Sequence, residues 1–162
     1  MKQSEYLSYD AIALADLIRR GDVSQRQVVD AAIARANQVN GALNAICQPQ
    51  YSEALSQTVP PDAPFAGVPM LLKDLAQEQA GQPCTFGSRA LRQNIPGRDS
   101  EFVERARRGG LVFLGRTATP EFGLKAVTES VLWGPSRNPW NTELTPGGSS
   151  GGAGAAVAAG IV

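Results

Sequence analysis

The chain has 162 residues, room for one domain or for part of a larger one. Fifteen Lys and Arg balance fifteen Asp and Glu, so no basic face is on offer to nucleic acid or to an anionic membrane. Histidine is absent, which excludes a Ser-His-Asp triad, a Cys-His pair and a His-ligated metal site within these residues. Hydrophobic residues at 43% against 19% charged make the composition globular rather than disordered.

The N-terminus opens polar with Lys2, Gln3, Ser4 and Glu5, and no apolar signal core follows. The first helix is predicted over 9–20, from Ile12, Leu14, Ala15, Leu17 and Ile18, with Gly21 as its stop. A second helix is predicted over 24–41, opened by a Ser24/Gln27 capping box and closed at Gly41; together the two read as a helical hairpin. A short strand is expected at 43–47 and a short helix at 52–57. Three prolines make 58–65 a loop. The apolar run 68–72 reads as a buried strand ending at Lys73 and Asp74, and 81–97 as loop. A helix capped by Asp99 or Ser100 runs to 108 and stops at Gly109 and Gly110. A buried strand follows at 111–114. Thr119, Pro120 and Glu121 read as cap, first position and first turn of a further helix. Residues 130–146 are expected to be loop, 147–152 a Gly/Ser segment, and 153–160 a small-residue helix. The ten apolar residues at 153–162 are too few to span a bilayer, which needs roughly 20. Helices alternating with short buried strands predict an α/β fold: an N-terminal helical hairpin plus the beginning of a mixed sheet flanked by helices. The two cysteines, Cys47 and Cys84, have no CxxC spacing, so a reducing, cytoplasmic location is expected.

Two segments have the residue types for chemistry. Gly147, Gly148, Ser149, Ser150, Gly151 and Gly152 lack the Gly-Lys-Ser/Thr of a phosphate loop and the spacing of a dinucleotide fingerprint. A tight structural turn and a functional site that presents hydroxyls and N–H groups remain equal readings of that composition. Lys73 ends a buried strand. Snorkelling to solvent is its ordinary explanation, and pairing with Asp74 is disfavoured because adjacent strand residues point to opposite faces. An interior lysine would lose part of its basicity to burial, as a general base must. Without histidine, a serine nucleophile needs such a lysine, and Ser-Lys arrangements do replace the histidine triad. Sequence position alone does not show that Lys73 and the serines meet.

The ordered motifs resemble the amidase signature family. The resemblance rests on 65–74 ending in Leu71-Leu72-Lys73-Asp74, on Thr85-Phe86-Gly87-Ser88, and on Gly115-Arg116-Thr117 with Thr119-Pro120-Glu121. It is completed by Arg137-Asn138-Pro139-Trp140-Asn141 leading into Pro146-Gly147-Gly148-Ser149-Ser150-Gly151-Gly152. Within the family, the pattern looks most like 6-aminohexanoate cyclic-dimer hydrolases and less like the tRNA-linked amidotransferases. The resemblance implies a Ser-cisSer-Lys amidase with Lys73 as base and Ser149 as bridging serine. It implies a cis Gly148–Ser149 peptide, loop support from Ser150, and backbone freedom from Gly147, Gly148, Gly151 and Gly152. Thr128 is a possible substrate contact by position, with loop packing as the plainer reading. No metal or organic cofactor is implied. The implied partner is a small linear or cyclic amide, with no nucleic acid and no membrane, and a homodimer is considered for a full-length protein.

The family's nucleophilic serine lies further along than Val162. The expectation is therefore the N-terminal part of one amidase domain, with a helical region at 1–57 and the start of the catalytic core at 65–162, inactive alone. The alternatives are a non-catalytic binding module and one half of a split protein, either an amidase or the amidase-like component of a tRNA-linked amidotransferase. No membrane-spanning segment is expected.

Overall fold

The computed structural model describes residues 1–162. In chain order the elements are helices α1 (Gln3–Tyr6), α2 (Ala11–Arg20) and α3 (Gln25–Leu43), strand β1 (Ile46–Pro49), helix α4 (Tyr51–Ser56) and strand β2 (Pro69–Lys73). Helix α5 (Glu101–Arg108), strand β3 (Val112–Thr117), the small strands β4 (Glu129–Ser130) and β5 (Gly134–Pro135) and helix α6 (Gly151–Ala158) follow. No helix is long and apolar enough to cross a membrane. Both cysteines are free thiols.

The helix boundaries follow local chemistry. Asp10 caps α2 through the Ala13 N–H at 2.8 Å, and Gly21 closes it in the left-handed region at φ +76°. The capping box forms as read: Ser24 Oγ accepts from Gln27 N at 3.2 Å, and Gln27 Oε1 accepts from Ser24 N at 2.9 Å. Helix α3 runs through Gly41, where it was expected to stop, and ends at Asn44 at φ +47°. The corner belongs to Asn40, whose Oδ1 accepts from Ala45 N and Ile46 N at 2.9 and 2.7 Å. That capture moves the strand expected at 43–47 to Ile46–Pro49.

Strand β3 is central in the order β1-β3-β2 and all six of its residues are buried. β1 pairs with it antiparallel and β2 parallel, so the sheet is mixed, as expected. Its main core joins Leu14, Val28, Ala32 and Ala36 of the helices to Ile46, Leu71, Val112 and Leu114 of the sheet and to Ala155 and Ala156 of α6. Helix α1, not expected from the sequence, packs on α3 and sends the Tyr6 hydroxyl to the Ile161 carbonyl at 2.8 Å.

Three expectations are corrected in the second half. Thr119 caps no helix: only a single 3-10 turn forms at Glu121–Gly123, with Phe122 at φ +54°. Thr119 is itself buried, and its hydroxyl is used elsewhere. The expected loop at 130–146 takes part in a small hairpin, because Ser130 pairs with Gly134 and Glu129 with Pro135. Helix α6 also starts earlier than expected, at Gly151. There the bare backbone of Gly152 lies so close to β3's exit that an added Cβ would stand 2.6 Å from the N and O of Ala118.

Candidate active site

Lys73 closes β2, and Ala118 and Thr119 follow directly on β3, so both parallel strands deliver their carboxyl ends to one edge of the sheet. Open α/β sheets place ligands at this edge. The Gly/Ser segment before α6 arrives at the same place. Thr119 Oγ1 donates to the Ser149 carbonyl at 3.1 Å, anchoring the loop to the exit of β3.

The Gly148–Ser149 peptide is cis. An added Cβ at Gly148 would stand 2.9 Å from the backbone of Val127, so this approach requires glycine. Thr128 braces the other side. Its hydroxyl donates to the Gly147 carbonyl at 2.8 Å and accepts from the Gly151 N–H at 2.9 Å. Thr128 is wholly buried, and its hydroxyl is engaged by the loop on both sides.

Held in this frame, the two serines face the lysine. Lys73 Nζ donates to Ser149 Oγ and Ser150 Oγ, each at 2.9 Å. Residues 76 apart in the chain thus meet through hydroxyl groups alone. No carboxylate pairs with the ammonium, and burial pushes the Lys73 pKa down from its ordinary value. The arrangement can pass a proton between a serine hydroxyl and an amine.

The neighbouring Asp74 faces the other way and is fully buried. Its carboxylate accepts from Thr85 N at 2.7 Å, Thr85 Oγ1, Gly87 N at 3.4 Å, Trp133 Nε1 at 3.1 Å and Gln48 Nε2 at 3.2 Å. The frame continues outward. Phe122 N donates to Phe86 O at 2.8 Å, and Ser88 Oγ donates to Glu121 Oε1 at 2.6 Å, tying the 85–88 loop to the 3-10 turn beside Ser149. Asp74, Thr85, Thr119 and Trp133 were not picked out by reading the sequence as parts of the site. Asp74, Thr85 and Thr119 stand within the family motifs with no role attached to them, and Trp133 carries no signal of its own. No group of His, Cys, Asp and Glu stands ready to hold a metal ion.

Comparison with known proteins gives the family and the fold. The Amidase family model matches residues 27–162. The 6-aminohexanoate-cyclic-dimer hydrolase of Paenarthrobacter ureafaciens is 42% identical over 154 residues, covering 94% of this chain and 31% of that protein. The lipoamidase of Enterococcus faecalis is 39% identical over 163 residues, covering 99% of this chain and 22% of that protein. A solved structure of 6-aminohexanoate cyclic dimer hydrolase superposes with a TM-score of 0.91 at 42% identity, over 96% of this chain and 32% of its own. The chain thus spans about a third or less of the length of these relatives. With the family model matching from α3 to the last residue, and with a mixed sheet shared with a solved amide hydrolase, the chain belongs to the amidase family.

Proposed function

We propose that residues 1–162 are the N-terminal part of an amidase that cleaves a small linear or cyclic amide through a Ser-cisSer-Lys relay. The observation that carries the reading is the 2.9 Å contact between Lys73 Nζ and Ser149 Oγ. A neutral lysine has one lone pair and two N–H donors. One N–H directed at Ser150 Oγ leaves the lone pair free to accept the Ser149 hydroxyl proton. Ser149 in turn takes a proton from the attacking serine, so Lys73 is the base and Ser149 the bridge. An acyl-enzyme forms, the amine leaves with the returned proton, and water releases the acid.

Residues 65–162 are read as the start of the catalytic core and 1–57 as a helical region that also lends β1 to the sheet. In this reading the nucleophile and the oxyanion donors come from sequence beyond these residues, and residues 1–162 alone do not turn over. A small amide fits the relatives: 6-aminohexanoate cyclic dimer hydrolase has been solved in complex with its substrate.

The test is hydrolysis of 6-aminohexanoate cyclic dimer and of simple linear amides by the full-length protein. Lys73→Ala is expected to lower kcat/KM about 100- to 10,000-fold. Normal turnover by that variant would remove Lys73 from the relay.

A further inference from the structure

Arg116 lies on β3, opposite Leu72 of β2, and is wholly buried. The pairing slips just before it, since Met70 faces Phe113 but Leu72 faces Arg116. The extra residue on β3 makes a bulge containing Gly115 at φ +141°, and bulges re-aim the side chains beside them. The Arg116 side chain reaches the turn that follows β2. There Nη1 donates to the Lys73 carbonyl at 3.1 Å and to the Gln77 carbonyl at 2.8 Å. The Gln77 side chain closes the circle, its Oε1 accepting from Lys73 N at 2.6 Å. The N–H and the C=O of Lys73 are therefore both held by side chains.

Those two carbonyls are the only partners of the guanidinium. No carboxylate lies within ion-pair distance, and Nε and Nη2 are buried without a protein acceptor. A buried cation without a counter-ion lowers stability, and an apolar side chain would fill the site at less cost. What an apolar side chain cannot do is grip the turn that starts at Lys73. The lysine stem is long and flexible, so where Nζ lies depends on how firmly its backbone is held.

We propose that Arg116 and Gln77 are positioning residues that clamp the Lys73 backbone and so keep Nζ on Ser149. This rests on the amidase reading above. Neither residue touches the serines, so both act through Lys73.

The test measures kcat, KM and melting temperature in the full-length protein for Arg116→Met, Arg116→Lys, Gln77→Leu and Lys73→Ala. Arg116→Met and Gln77→Leu are expected to lower kcat about 100-fold, the scale of an ångström-sized misplacement. KM is expected to stay within about threefold, because no substrate contact is lost. Arg116→Lys, which returns a donor to the two carbonyls, is expected to recover most of kcat. Unchanged kcat in both clamp variants overturns the proposal. So does a loss of kcat that tracks a fall in melting temperature and is not rescued by Arg116→Lys. Should Arg116→Met fail to fold, Gln77→Leu decides by the same criterion. An active Lys73→Ala overturns the Ser-cisSer-Lys relay and the clamp together; an inactive Lys73→Ala beside fully active clamp variants overturns the clamp alone.

Discussion

Lys73 and Asp74 are adjacent in the chain and serve opposite sides of it. Lys73 Nζ meets Ser149 and Ser150, while the Asp74 carboxylate gathers donors from Gln48, Thr85, Gly87 and Trp133. Strand alternation separates the two charges at the end of β2. An ion pair between them would have held the ammonium charged and away from the hydroxyls. Instead the lysine loses basicity to burial alone, and the carboxylate ties the surrounding loops to the strand that presents the lysine.

The first prediction concerns pH. Desolvation disfavours the Lys73 ammonium, so its pKa lies below the ordinary lysine value. The neutral amine is the base, and its fraction rises as pH rises through that pKa. The rising limb of kcat/KM in the full-length protein is therefore expected below the usual lysine range. A limb at the usual lysine value would show a fully solvated amine. The same shift acts on stability. The unfolded chain holds the proton more tightly, so the penalty is full below the folded pKa, fades between the folded and the unfolded values and is gone above the latter. Lys73→Met is accordingly expected to be at least as stable as the parent at neutral pH.

Asp74→Asn keeps the shape and reverses the hydrogen bonding. The new amide turns N–H groups toward donors on Thr85, Gly87 or Trp133, all in a buried setting. A loss of about 3 kcal/mol is expected in denaturant unfolding. A loss below about 1 kcal/mol would mean the carboxylate frame contributes little.

Thr128→Val removes the hydroxyl that bridges Gly147 and Gly151 and changes almost no volume. It leaves the part-buried Gly147 carbonyl and the buried Gly151 N–H unpaired, at about 1–3 kcal/mol. The expected kinetic signature is a lower kcat with little change in KM, because the loop holding Ser149 loosens. A rise in KM alone would make Thr128 a substrate contact.

Two glycines of α6 make a controlled pair. A Cβ at Gly152 would press on the backbone of Ala118 and Ala45, at 2.6 and 2.8 Å, whereas a Cβ at Gly154 meets nothing within 4 Å. Gly152→Ala is expected to destabilise the protein markedly, because rigid backbone must move. Gly154→Ala is expected to stabilise it by about 0.5–1 kcal/mol, the ordinary gain of alanine over glycine in a helix. Thermal melts of the two variants moving in the same direction would contradict the packing of α6 on the sheet.

Much of this architecture is legible in residue patterns. The Ser24/Gln27 capping box, the Gly21 stop, the apolar run into Lys73 and the alternation of helix and strand are local signals, and each has a local cause. The family follows from the order of short motifs, and Lys73, Ser149 and Ser150 are marked within them by residue type. The end of α3 is corrected by a local capture at Asn40, but the failures around the site have a non-local cause. Thr119 has the chemistry of a helix cap, yet its hydroxyl goes to Ser149, 30 positions away. Asp74 reads as a disfavoured ion-pair partner of Lys73, and Arg116 as a motif residue with no role attached to it. Their roles come from groups that the fold carries to them. The sequence by itself determined which residues could act as base and hydroxyl relay and most of the longer helices and buried strands, because propensity, capping and motif are set within a few neighbouring residues. Only the tertiary structure decided that Lys73 reaches Ser149, that Thr128 bridges Gly147 and Gly151, and that Arg116 grips the turn at Lys73, because each depends on sheet register and on the bulge at Gly115 bringing distant chain segments within hydrogen-bond reach.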